Sequence, residues 1–100
     1  MLVIRDIMYC KPGKVRPMID KFLAMSKLND KKGMPKMRIM TDVSAERYWT
    51  IVSEMEVKSF DEFTSMMESS DDMKEFENIM KGYHDLVDLG KREIYKIESA

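Results

Sequence analysis

Cysteine and histidine are nearly absent: the 100 residues hold one of each, Cys10 and His84. One cysteine excludes an internal disulfide, and one histidine leaves too few ligands for a Cys/His zinc site. Long hydrophobic runs are missing too. The opening stretch Met1-Leu2-Val3-Ile4 is cut off by Arg5 and Asp6. It is shorter than the apolar part of a signal peptide, and nothing approaches the length of a membrane span. Neither sign of charge is in excess, with 17 Lys plus Arg against 18 Asp plus Glu and a net charge of -1. A domain that binds nucleic acid by neutralising phosphates is clearly basic, so that class is disfavoured. The expectation is a cytoplasmic protein with no nucleic-acid partner, no membrane partner and no metal, in which a lone free thiol is ordinary.

What is present is apolar surface: 44% of the residues are hydrophobic, 9% aromatic, and twelve are methionine. That is too apolar for a disordered chain. The length suits one domain over residues 1–100, burying roughly two-thirds of the surface exposed when unfolded.

Residues 2–9 are apolar and partly β-branched, and Lys11-Pro12-Gly13-Lys14 follows, so they predict a strand running into a turn. From Val15 the period changes. Val15, Met18, Ile19, Phe22 and Met25 fall at helical spacing, and Pro17 is tolerated in a first turn. The helix should fray through residues 28–32 and end at Gly33, before Met34-Pro35. Residues 36–41 predict a second strand, 42–46 a loop, and 47–57 a third strand. On the third strand Trp49, Ile51, Ser53, Met55 and Val57 share one face; Tyr48, Thr50, Val52, Glu54 and Glu56 share the other. Ser59-Phe60-Asp61-Glu62 is a capping box. It starts a helix with Phe60, Phe63, Met66 and Met67 as its apolar set. Ser69-Ser70-Asp71-Asp72 predicts a break and a second cap. A helix with Met73, Phe76, Ile79 or Met80, Tyr83 and Val87 on one side follows, ended by Gly90. Residues 92–97 predict the last strand.

The order strand, helix, strand, strand, helix, strand is the ferredoxin-like arrangement, an α+β fold with an antiparallel sheet and both helices on one face. The opposite face of the third strand mixes apolar and polar residues. A face of that kind is usually covered, and a second copy of the chain is the economical cover.

Three stretches carry a resemblance. Lys11-Pro12-Gly13-Lys14 resembles the turn before helix one of the dimeric α/β-barrel superfamily. That group contains antibiotic-biosynthesis monooxygenase-like, stress-responsive barrel and NIPSNAP-like proteins. Residues 48–50 and on through 57–63 resemble its third strand and second helix, and residues 90–95 its closing strand. The resemblance implies a βαββαβ chain that dimerises into an α/β barrel, with small apolar or aromatic ligands held between sheet and helices or in the barrel. It implies no metal or flavin, since the substrate of the monooxygenase-like members can itself activate oxygen. A haem-degrading member would need a histidine on helix two, an asparagine on strand one and a tryptophan on strand three. Here His84 lies late on helix two and Trp49 on strand three, while Asp6 stands at the asparagine position. The fold alone does not select among these activities.

The candidate residues each have two readings. His84 is the one side chain that titrates near neutrality unperturbed. It is a catalytic group or ligand, or an ordinary helix histidine. Trp49 is core or the wall of a ligand cavity. One of Arg5 and Asp6 must face inward, and a buried charge needs a partner. Arg38 and Arg92 are the candidates for Asp6, forming either an ion pair at the dimer seam or a polar anchor in an apolar pocket. Tyr48 and Tyr95 could add hydroxyl groups. Cys10, near Lys11 and Lys14, is a free thiol or a nucleophile of lowered pKa. Met34, Met37 and Met40 could suggest a soft-metal cluster, but residues three apart on a strand face opposite ways, so the methionines read as an adaptable core or pocket lining. The acidic stretch 71–77 lacks calcium-loop spacing. Lys27, Lys31, Lys32 and Lys36 read as a solvated basic face.

Three functions follow as expectations. The first is a homodimer that binds or transforms a small, largely apolar molecule, as a cofactor-independent monooxygenase-like enzyme. The second is a non-catalytic stress-related or regulatory module, and the third a haem-binding member. An enzyme should show a cavity holding at least two of Asp6, Arg38, Tyr48, His84, Arg92 and Tyr95. A structural module should fill that space with methionines.

Overall fold

The structure, a computed structural model, describes residues 1–68 and 70–99. The elements are β1 (Leu2–Cys10), α1 (Val15–Lys31), β2 (Met37–Thr41), β3 (Thr50–Val57), α2 (Phe60–Glu68), α3 (Ser70–Met80), a 3-10 turn (Tyr83–Asp85) and β4 (Val87–Lys96). The sheet runs β2-β3-β1-β4 with every neighbouring pair antiparallel. This is the ferredoxin-like order expected from the pattern of the chain.

Local signals explain most boundaries. Gly33 takes φ +70° after α1, a conformation that favours glycine. The Met34 amide then donates to the Asn29 carbonyl at 2.9 Å, turning the chain toward β2. At α2 the Glu62 amide donates to Ser59 Oγ at 3.2 Å, one half of the expected capping box. Ser69, in the expected second cap, lies outside the described residues. Lys21 on α1 ties the last turn of α3, its Nζ donating to the carbonyls of Ile79 (3.2 Å) and Lys81 (2.7 Å). A cation there also suits the negative end of the helix dipole.

Three expectations are corrected. Helix α1 does not fray at residue 28 but runs to Lys31, because Asn29 continues its buried stripe. The last helix ends at Met80, leaving Tyr83 and His84 in the 3-10 turn. Gly90 ends no helix. It sits inside β4, which starts at Val87 rather than residue 92, and it pairs with Met8 of β1. A Cβ at Gly90 would come within 2.8 Å of Met8 Sδ. Glycine lets that thioether lie across β4.

Parity sets the faces of the sheet. Ile4, Asp6, Met8 and Cys10 of β1 share the helix face with Ile51, Ser53, Met55 and Val57 of β3, as the register and the buried clusters show. One cluster is Cys10, Met18, Phe22 and Ile51, under α1. The other is Ile4, Val57 and Phe63, under α2. On the opposite face stand Val3, Arg5, Ile7 and Tyr9 of β1, with Val52 and Glu54 of β3 and Tyr95 of β4. No helix of the described residues covers it. One row of that face alternates in charge across all four strands, Arg38–Glu54–Arg5–Glu93.

Among the described residues, no helix is long and apolar enough to cross a membrane.

Candidate functional site

Between the two buried clusters a cleft of about 160 Å³ separates the sheet from the three helices. Its shape follows from the methionines. Met25 of α1, Met37 of β2, Met55 of β3, Met66 and Met67 of α2 and Met73 of α3 all line it. Unbranched thioether side chains fill irregular space loosely and adapt to what enters. Phe22, Phe63 and Phe76 add aromatic wall. Met40, three residues after Met37, lies on the opposite face beside Val52, as strand parity requires.

The polar groups are few. Asp6 faces into the cleft from the centre of β1, and its partner is Arg92 of β4, directly across the ladder. Arg92 Nε donates to Asp6 Oδ1 at 2.6 Å and Nη2 to Oδ2 at 3.3 Å. The two-point geometry is the strong form of this pair. The Arg92 guanidinium also lies 5.1 Å from the centre of the Phe63 ring. The Asp6 charge is thus neutralised within the fold, and Arg92 is held at the cleft wall. Arg38, the other expected partner, is on the opposite face and bonds Glu54 instead, at 2.7 Å.

The expected site residues fall into three places. Asp6, Arg92 and His84 line one shallow groove at the end of the 3-10 turn, with Asp6 and Arg92 shared between groove and cleft. His84 itself is exposed, with its ring 4.0 Å from that of Tyr83. Arg38 and Tyr95 belong to the uncovered face, where Arg5 stacks over Tyr95 at 5.2 Å. Tyr48 and Trp49 stand in the loop before β3, 85% and 43% exposed. The expected strand start at residue 47 fails there. Asp42 Oδ1 accepts from the Thr50 amide and Thr50 Oγ1 donates to the Arg47 carbonyl, so these bonds hold a turn. Trp49 adopts φ +63°, rare for a bulky residue. Its carbonyl still accepts from the Cys10 amide at 2.8 Å.

Of the two readings of Cys10, the structure has the free thiol and not the nucleophile of lowered pKa. The residue is buried, and burial, with Asp88 nearby, pushes its thiol above the ordinary 9.0. Lys11 and Lys14 do not reverse that shift. The folded protein should therefore resist iodoacetamide near pH 8, reacting many-fold more slowly than the same protein in denaturant. Equal rates measured by mass shift would contradict a buried, protonated thiol.

Asn29 escaped the sequence reading. It is 3% exposed, it lines the cleft, and its Oδ1 has no hydrogen-bond partner among the described residues. The signal was available: 18, 22, 25 and 29 continue one helical stripe, and Asn29 is its polar member. Ser53, on the buried face of β3, and Glu54 are further polar residues of the lining outside the expected set.

No protein-family model matches the chain, and no curated protein matches it significantly. Solved structures do. A NIPSNAP domain protein from Burkholderia xenovorans superposes with a TM-score of 0.76 at 13% identity, covering 99% of this chain and 96% of that one. A protein from Deinococcus radiodurans assigned as an antibiotic biosynthesis monooxygenase gives 0.74 at 8% identity, covering 100% and 95%. Another so assigned, from Nitrosomonas europaea, gives 0.73 at 14% identity, covering 99% and 100%. The lengths agree almost end to end, and the chain has the fold that NIPSNAP domain proteins and antibiotic-biosynthesis-monooxygenase-like proteins share.

Proposed function

We propose that the protein is a homodimer that binds a small, largely apolar molecule in the cleft between sheet and helices and acts on it as a cofactor-independent, monooxygenase-like enzyme. The observation that carries this reading is the cleft itself. It is mostly apolar and methionine-lined yet not filled, and its few polar groups include Asp6 and Arg92, with Asn29, Ser53 and Glu54. A concave apolar site with a few convergent polar groups is the usual form of a small-molecule site. Arg92, kept beside Phe63, has N–H donors left over after its two bonds to Asp6 and can donate to a bound molecule.

The dimer is supported by the uncovered sheet face. Val3, Ile7 and Val52 are half-buried there without a covering element, and Leu89 and Tyr95 are exposed. Its charges are already paired in a row, which lowers the cost of covering them. A second reading, a non-catalytic dimeric module, is favoured by one observation. The Asp6 carboxylate is bound to Arg92 rather than free to act as a base.

Native mass spectrometry of the purified protein tests both levels. A dimer carrying one small molecule per chain is the expected result. A bare dimer that consumes no oxygen with any small aromatic offered would select the module. A monomer at micromolar concentration would overturn the proposal.

A further inference from the structure

We infer that the cleft selects a neutral, single-ring molecule carrying one hydroxyl or N–H donor, and that Asn29 Oδ1 accepts that hydrogen bond. The inference rests on the cleft being a ligand site, as proposed above, and adds what the ligand must be. Three observations carry it.

The first is size. A cavity of about 150 Å³ lined by apolar side chains accepts benzene, and this one is about 160 Å³. One ring fits that volume, and because the cleft opens to solvent the volume bounds the buried part of the ligand. The second is the lining, which is aromatic and thioether over most of its surface and so favours a flat apolar body. The third is Asn29. A buried acceptor without a partner costs about 1–3 kcal/mol. The group is held at 3% exposure with its Oδ1 shielded, so the amide turns toward the cleft to meet a ligand, and its own carbonyl is occupied by Met34. Among the described residues, the turn that follows α1 uses the Asn29 carbonyl and not its side-chain oxygen. A donor on the bound molecule would complete it.

Asp6 is already bonded at both oxygens by Arg92 and keeps only spare acceptor sites, so it competes for that donor less well than an acceptor with no partner. A ligand with a full negative charge would have to share Arg92 with Asp6. A neutral one leaves the pair intact.

Phenol and toluene separate the possibilities, since they share shape and differ in the donor. Their affinities would be measured by NMR titration of the intact protein and of Asn29→Leu. In the wild type, phenol should bind at least tenfold more tightly than toluene. In Asn29→Leu that preference should be lost, because the hydroxyl no longer has the acceptor that offsets its desolvation. Should the variant not fold, the wild type still decides. The Asn29 side-chain amide resonances should move clearly further with phenol than with toluene, since both rings perturb the lining but only phenol donates to Oδ1. Toluene binding as well as phenol, with no larger response to phenol at Asn29, would overturn the inference while leaving the cleft a ligand site. Binding of neither would overturn both the inference and the proposed site.

Discussion

Replacing Phe22 by alanine should destabilise the protein by about 3–5 kcal/mol, the range for emptying a buried phenylalanine site. A domain of this size holds roughly 5–15 kcal/mol in all, so the variant should lie close to unfolding at 37 °C. The reason is position. Phe22 is 3% exposed and packs with Cys10, Met18 and Ile51 in the main cluster, while another part of its ring walls the cleft. The space left would join the cleft rather than close, because the sheet below and α3 above are fixed by their own contacts. Lys21, one residue earlier, holds α1 to the end of α3 through two carbonyls. Urea denaturation checks the number. A second expectation follows from the same geometry: a ring compound that binds the enlarged cleft should recover part of the lost stability in proportion to its occupancy. A loss below 1 kcal/mol would mean that the methionines collapse into the vacancy, and the cleft would then be too compliant to select a shape.

The sequence makes some of this visible and hides the rest for identifiable reasons. The stripe Met18, Phe22, Met25 announces α1, and Ser59 with Glu62 announces α2, because helix faces and caps are local. The strand order follows from the order of the elements. Register is not local, and the errors gather there. Gly90 reads as a helix stop because a glycine near the end of a periodic segment usually is one. Its real reason is Met8, eighty-two positions away and directly across the ladder. Asp6 plainly needs a partner, but the choice between Arg38 and Arg92 depends on which strand borders β1 and which face each residue takes. Tertiary pairing decides for Arg92. Trp49 alternates correctly for β3, yet Asp42 and Thr50 turn the chain one residue too soon. Asn29 was legible in the helical stripe and was overlooked because a lysine-rich, polar segment suggests fraying.

Glu54→Lys should cost about 2–3 kcal/mol and, on the paired sheet face proposed above, convert the dimer to monomer. Glu54 is the hinge of the charged row. Its Oε2 accepts from Arg5 Nε and its Oε1 from Arg38 Nη2, each at 2.7 Å, with the carboxylate largely shielded from solvent. Bonds to charged groups contribute about 1.5–3 kcal/mol when shielded and much less when exposed. Arg38 is 73% exposed, so most of the loss comes from Arg5. Lysine would put three cations side by side on neighbouring strands, where like charges repel. Arg5 would keep only Glu93, at 3.8 Å. Glu54→Gln removes the charge while keeping the shape, and it isolates the pH dependence. The hydrogen bond from Arg38 holds the Glu54 carboxyl below its ordinary 4.5; burial opposes this, and the bond and charge of Arg5 reinforce it. A carboxylate whose pKa is lower in the folded state stabilises the fold fully above its unfolded value, and that contribution disappears as pH falls through the folded one. The wild type should therefore lose stability as pH drops below about 4.5, beyond what its other carboxylates contribute. Glu54→Gln should show a shallower acid decline and match the wild type most closely at low pH, where the wild-type carboxyl is protonated too. Urea midpoints at several pH values, with sedimentation at neutral pH, would report both effects. Parallel acid profiles for the two proteins would mean that Glu54 is not held by its arginines in solution. A dimer that survives Glu54→Lys would place the contact between copies somewhere other than this face.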